Sequence, residues 1–181
     1  MSVLKEMQPE RRGLLIGLFY RVGVWMSHTD DEAGDIDDAL EMKALERVIL
    51  SIAKCHDDSA FVQDVARQCV MNKEKWPNWA GHSFDILADC EKAAVILSET
   101  VNKKDAADYK ETLLHIAETV AAAYGEFGMT MAQDDNILGA FLNKVTRKFG
   151  GGTSADDDFM NISPAEQRAL ERLRVALHLD K

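Results

Sequence analysis

Seven carboxylates crowd the twelve residues from Asp30 to Glu41: Asp30, Asp31, Glu32, Asp35, Asp37, Asp38 and Glu41. So much like charge in one short stretch is costly unless water, a helix N-terminus or a cation offsets it. Hard cations such as Ca²⁺ and Mg²⁺ take oxygen ligands from segments of this kind. The EF-hand pattern, however, does not fit. A loop beginning at Asp30 puts Glu41 at its last position but Asp35 where the turn glycine belongs. A loop beginning at Thr29 restores Gly34 and Ile36 and loses both terminal carboxylates. The candidate ligands for a divalent metal ion (Ca²⁺, Mg²⁺, Mn²⁺ or Zn²⁺) are Asp30, Asp31, Asp35, Asp37 and Glu41, a choice among the seven that goes with the resemblance given below. The alternative is a solvated acidic loop capping the next helix. His28 beside it is either an added imidazole ligand or a surface residue.

Glu111, His115 and Glu118 form a second cluster, spaced four and three along one helix face. Di-iron bundles need Glu-x-x-His from two helices with two further Glu, and no second copy exists here. The spacing reads as a half-buried histidine flanked by surface acids, or as a base pair in a helical enzyme. Nucleotide-binding, nucleophile-elbow and zinc-protease signatures are missing, so no catalytic or cofactor-binding residue is assigned. Trp76 and Trp79 either face a ligand or anchor a loop. Cys55, Cys69 and Cys90 contain no CxxC pair and read as reduced, mostly buried thiols.

The elements that must hold these residues are helices. Apolar residues recur at spacings of three and four, only 3 prolines occur, and no segment alternates in the manner of a strand. The first helix runs from Pro9 to about Ser27, with Gly13, Gly17 and Gly23 calling for close packing. A second follows the acidic stretch to about Cys55. A third, capped by Asp57, Asp58 and Ser59, reaches about Met71. Lys73 to His82 reads as a loop. Further helices are expected over Ser83–Val101, Asp105–Tyr124 (with Asp105 as N-cap) and Ala132–Phe149. Ser163-Pro164-Ala165-Glu166 is a capping box opening the last helix.

The 181 residues suit one domain of residues 1–149, a Gly/Asp-rich linker over 150–162, and a C-terminal helix over 163–181 packed on the same domain. A net charge of -10 argues against nucleic acid as a partner, because neutralising phosphates takes clustered Lys and Arg. Neither a leader-type apolar region nor a membrane-length run is present, and the expectation is a soluble, cytoplasmic protein.

The plan of apolar helix, acidic Gly-containing turn and amphipathic helix occurs twice. Val22 to His28 leads into Asp30-Asp31, Gly34-Asp35-Ile36-Asp37 and Glu41. Val120 to Tyr124 leads into Gly125-Glu126-Phe127-Gly128 and Asp134-Asp135. On these motifs the chain resembles the TerB-like domain of tellurite-resistance proteins, over roughly residues 10–150. The resemblance implies an all-α bundle of about seven helices in two weakly related halves, with the C-terminal helix added. It also implies a cytoplasmic, non-enzymatic accessory role in stress or metal response, with a divalent cation and protein partners. Tyr124 stands where the second turn should carry aspartate, so the first turn is the one expected to hold the ion. The alternative is a metal-independent, acidic protein-protein interaction module.

Overall fold

The computed structural model describes residues 3–29, 35–54, 59–125 and 162–179, with the backbone alone at 35–40, 124 and 125. Its elements, in chain order, are α1 (Val3–Glu6), α2 (Pro9–Ser27), α3 (Asp35–Lys54), α4 (Ala60–Met71), a 3₁₀ turn (Lys73–Lys75), α5 (Trp76–Ala80), α6 (Ile86–Thr100), α7 (Lys103–Gly125) and α8 (Pro164–Ala176). The fold is all-α, and the described residues include no strand. None of their helices is long and apolar enough to cross a membrane. The expected helix over Ala132–Phe149 and the second acidic turn lie outside the described residues.

α2 is the central element, packing against α3, α4, α6 and α7. Its residues Leu15, Leu18, Phe19, Val22 and Met26 are sealed from solvent. A helix surrounded by others must be apolar over most of its circumference, and α2 carries a buried residue at nearly every position from Leu15 to Ser27. Its glycines act differently. A methyl group on Gly23 would overlap the Leu45 side chain, so that glycine lets α2 and α3 approach closely. One on Gly17 would touch the Trp79 indole at 3.7 Å, and one on Gly13 would meet nothing within 4 Å.

The Gly23–Leu45 contact also fixes register. The connection between α2 and α3 is short, so the helices run antiparallel, and one turn from Gly23 and Leu45 toward that connection come Ser27 and Glu41. The Tyr109 hydroxyl donates to the Leu15 carbonyl at 2.7 Å. Ser59 Oγ donates to Asp105 Oδ1 at 2.7 Å, joining the start of α4 to the start of α7. The C-terminal part of α7 therefore lies toward the same end of the bundle as Ser27 and Glu41.

Caps depart from expectation in places. Ser59 caps α4 by accepting from Val62 N at 3.2 Å. On α7 it is the Asn102 side chain, rather than Asp105, that caps, accepting from Asp105 N at 2.9 Å; Asp105 is occupied by Ser59 and by the Asn102 amide. The expected loop over Lys73–His82 is instead a 3₁₀ turn followed by α5. Pro77 is acceptable there because it stands in a first helical turn. Burial of Trp76 adds tertiary support, with its Nε1 donating to the Cys69 carbonyl at 3.1 Å and its ring stacked on Tyr20 at 4.5 Å. The capping box of α8 forms in full between Ser163 and Glu166, and α8 packs on α6 and α7.

Candidate functional site

The acidic segment is described from Asp35 onward. Asp30 and Asp31 lie outside the described residues. Asp35 opens α3, so Asp35 and Asp37 belong to its first turn and not to a loop before it. Positions 37 and 41 are one turn apart along the helix, while position 35 is displaced from 37 by about 200° around the axis. Glu41 is only 2% exposed. Its carboxylate is thus taken into the protein, at the level of the buried Ser27, and is engaged there in interactions within the chain. No group of three or more His, Cys, Asp or Glu poised to hold an ion occurs among the described residues.

His115 is more deeply placed than its spacing suggests: it is 7% exposed, where a half-buried ring was expected. α7 packs on α3 along one side and on α2 along another, and His115 lies in a run of buried residues from Thr112 to Ala117. Its carbonyl accepts from Thr119 Oγ1 at 2.8 Å. Glu118 forms an ion pair with Arg174 of α8 at 3.2 Å, and Glu111 is exposed.

A buried charged cluster around Arg21 carries no such sequence signature. Arg21, 8% exposed in the middle of α2, reaches Asp89 of α6 at 2.8 Å and donates Nε to the His82 carbonyl at 3.1 Å. Lys92 adds a second ion pair to Asp89 at 2.9 Å. Burial alone would raise the Asp89 carboxyl; hydrogen bonds from Lys92 and Arg21, with their charges, outweigh it and hold the group below its ordinary range. The only sequence signal was an arginine inside an otherwise apolar stripe. Cys69 and Cys90 are free and buried, and burial pushes each thiol up to about 12.

Clefts open around α2 among the described residues. One, of about 640 Å³, lies between α1, the N-terminal half of α2 and the α4–α5 region, with Lys5, Arg12, Lys75 and Asp64 on its walls. A second, about 510 Å³, borders Arg21, Asp85 and Asp89. Gly13 and Trp79 belong to both. A third, about 450 Å³, lies between the end of α2 and α8, lined by Trp25, His28, Arg168 and Arg172. His28 thus faces this cleft as an exposed residue at the C-terminal end of α2. Phe84, 91% exposed, stands at the rim of the second and third clefts.

Against known protein families, curated proteins and solved structures, the chain matches none.

Proposed function

We propose that the protein is a non-enzymatic, cytoplasmic accessory protein of the tellurite-resistance or stress-response type, which takes a divalent cation through the segment from Asp30 to Glu41 and acts through protein partners. The observation that carries this reading is the buried Glu41 carboxylate, nearly two turns into α3 from its start at Asp35. A charged carboxylate inside a protein needs compensation by hydrogen bonds or opposite charge. The interactions Glu41 makes within the chain supply part of it, and a cation held with oxygens of Asp30, Asp31 and Asp37 would add to them. Asp35, in the same first turn of α3, completes the ligand set read from the sequence. The antiparallel α2 and α3 joined by an acidic connection also agree with the arrangement the resemblance implies.

When bound, the ion would neutralise crowded carboxylates and clamp the ends of α2 and α3 together. A ligand of the native state at about 100 times its dissociation constant adds about 2.7 kcal/mol, on the order of 5–10 °C in melting temperature for a domain of this size. Melts of EDTA-stripped protein with Ca²⁺, Mg²⁺, Mn²⁺ and Zn²⁺ should show such a rise for one of them. The Asp35→Asn/Asp37→Asn variant should lose it. A flat response to all four would leave the acidic segment as a metal-independent surface for a basic partner.

A further inference from the structure

The cleft between α1, α2 and the α4–α5 region has two features that packing does not explain. The first is charge. In a chain of net charge -10, its walls gather Lys5, Arg12 and Lys75 against the single carboxylate of Asp64. Asp64 is engaged within the chain, whereas none of the three cations takes part in an ion pair among the described residues. The lining thus carries a net charge of about +2 (three cations against one carboxylate), which matches a phosphate group of charge about −1.5 to −2 near pH 7.

The second is Gly13. In the interior of a helix, glycine costs about 1 kcal/mol relative to alanine. Gly23 repays that by admitting Leu45, but nothing comes within 4 Å of where a Gly13 side chain would begin. The residue leaves a bare, exposed patch of α2 on the cleft floor, beside Ile16 and the half-buried Trp79. Glycine at such a point permits close approach of another molecule to the backbone. At about 640 Å³ the cleft falls within the usual range for small-molecule sites.

We propose that this cleft binds a small organic phosphate, with the phosphate held by Lys5, Arg12 and Lys75 and a flat ring lying over Gly13 beside Trp79. Gln68 and Asn72, also on the wall, supply amide groups to polar atoms of the ring or its linker. The site is separate from the acidic segment and does not depend on the metal reading.

Isothermal titration of the full chain with AMP, ATP, adenosine and inorganic phosphate tests it. AMP or ATP should bind at least ten times more tightly than either adenosine or phosphate alone. Arg12→Ala/Lys75→Ala should weaken the nucleotide at least tenfold, while Lys43→Ala, on exposed α3 surface, should not. Gly13→Ala separates a binding role from a structural one: it should raise the melting temperature and weaken the nucleotide together. Inorganic phosphate binding as tightly as AMP would overturn the ring-plus-phosphate site. Failure of both nucleotides to bind at 10 mM, or equal affinity in Gly13→Ala, would overturn it as well.

Discussion

Arg21 of α2 and Asp89 of α6 meet at 2.8 Å with side chains only 10% and 14% exposed. The same guanidinium holds the His82 carbonyl, so one side chain secures both α6 and the turn before it. Removing one partner of a buried pair leaves the other charge uncompensated. Arg21→Ala should therefore lose about 3 kcal/mol in urea unfolding, allowing for the pairing that Lys92 still gives Asp89. A loss under about 1 kcal/mol would show the pair to be peripheral.

The same pair sets a pH dependence. The Asp89 carboxyl lies below its ordinary value in the folded chain, so the native state binds its proton less readily than the unfolded one. Its contribution is complete above the unfolded carboxyl value, about 3.9, and is lost as pH falls through the folded value. The stability gap between wild type and Asp89→Asn should be constant from pH 7 to about pH 5 and should close below about pH 4. A gap that instead widened on acidification would contradict this assignment.

Gly13 and Gly23 should respond to alanine with opposite signs. Open space at Gly13 lets Gly13→Ala collect the helix propensity difference, about 0.5–1 kcal/mol of stabilisation. At Gly23 the new methyl collides with the buried Leu45 side chain, and overpacking costs about 1–3 kcal/mol. Leu45→Ala should cost less in the Gly23→Ala background than in the wild type. Paired urea melts read all three.

Cys69 and Cys90 should resist thiol reagents. Only the thiolate reacts, and both thiols are buried with values pushed up to about 12. In a Cys55→Ser variant at pH 8, modification should proceed at the rate of unfolding. Labelling of either thiol at the rate of an exposed one would contradict the packing around α2.

His178 follows α8 with a φ of 54°, in the left-handed region that glycine occupies freely. His178→Gly should raise stability by about 1 kcal/mol in a thermal melt.

Where order arises locally, the sequence was informative. α2 runs from Pro9 to Ser27, and the Ser163–Glu166 box caps α8, because period and caps sit within a few residues of each other. What escaped depends on partners distant in sequence. α5 forms although Pro77 and two tryptophans suggest a loop, since Trp76 is buried against Tyr20 and the Cys69 carbonyl. Asn102 takes the cap expected of Asp105 because Ser59, 46 residues away, occupies the Asp105 carboxylate. In the candidate site, the carboxylates are plain in the sequence, but the helix start at Asp35 and the burial of Glu41 follow from how α2 and α3 meet at Gly23 and Leu45. The Arg21–Asp89 pair had no local signature, as its members lie on different helices.

A divalent ion held by the segment from Asp30 to Glu41 would be countable in solution. Equilibrium dialysis of EDTA-stripped protein against Ca²⁺, Mg²⁺, Mn²⁺ and Zn²⁺ in turn, with bound metal counted per chain, tests it most directly. One equivalent of a single preferred cation should be bound, and the binding should be abolished in Asp35→Asn/Asp37→Asn. Bound metal equal to the buffer background for all four, or an equivalent that survives in the double variant, would contradict it.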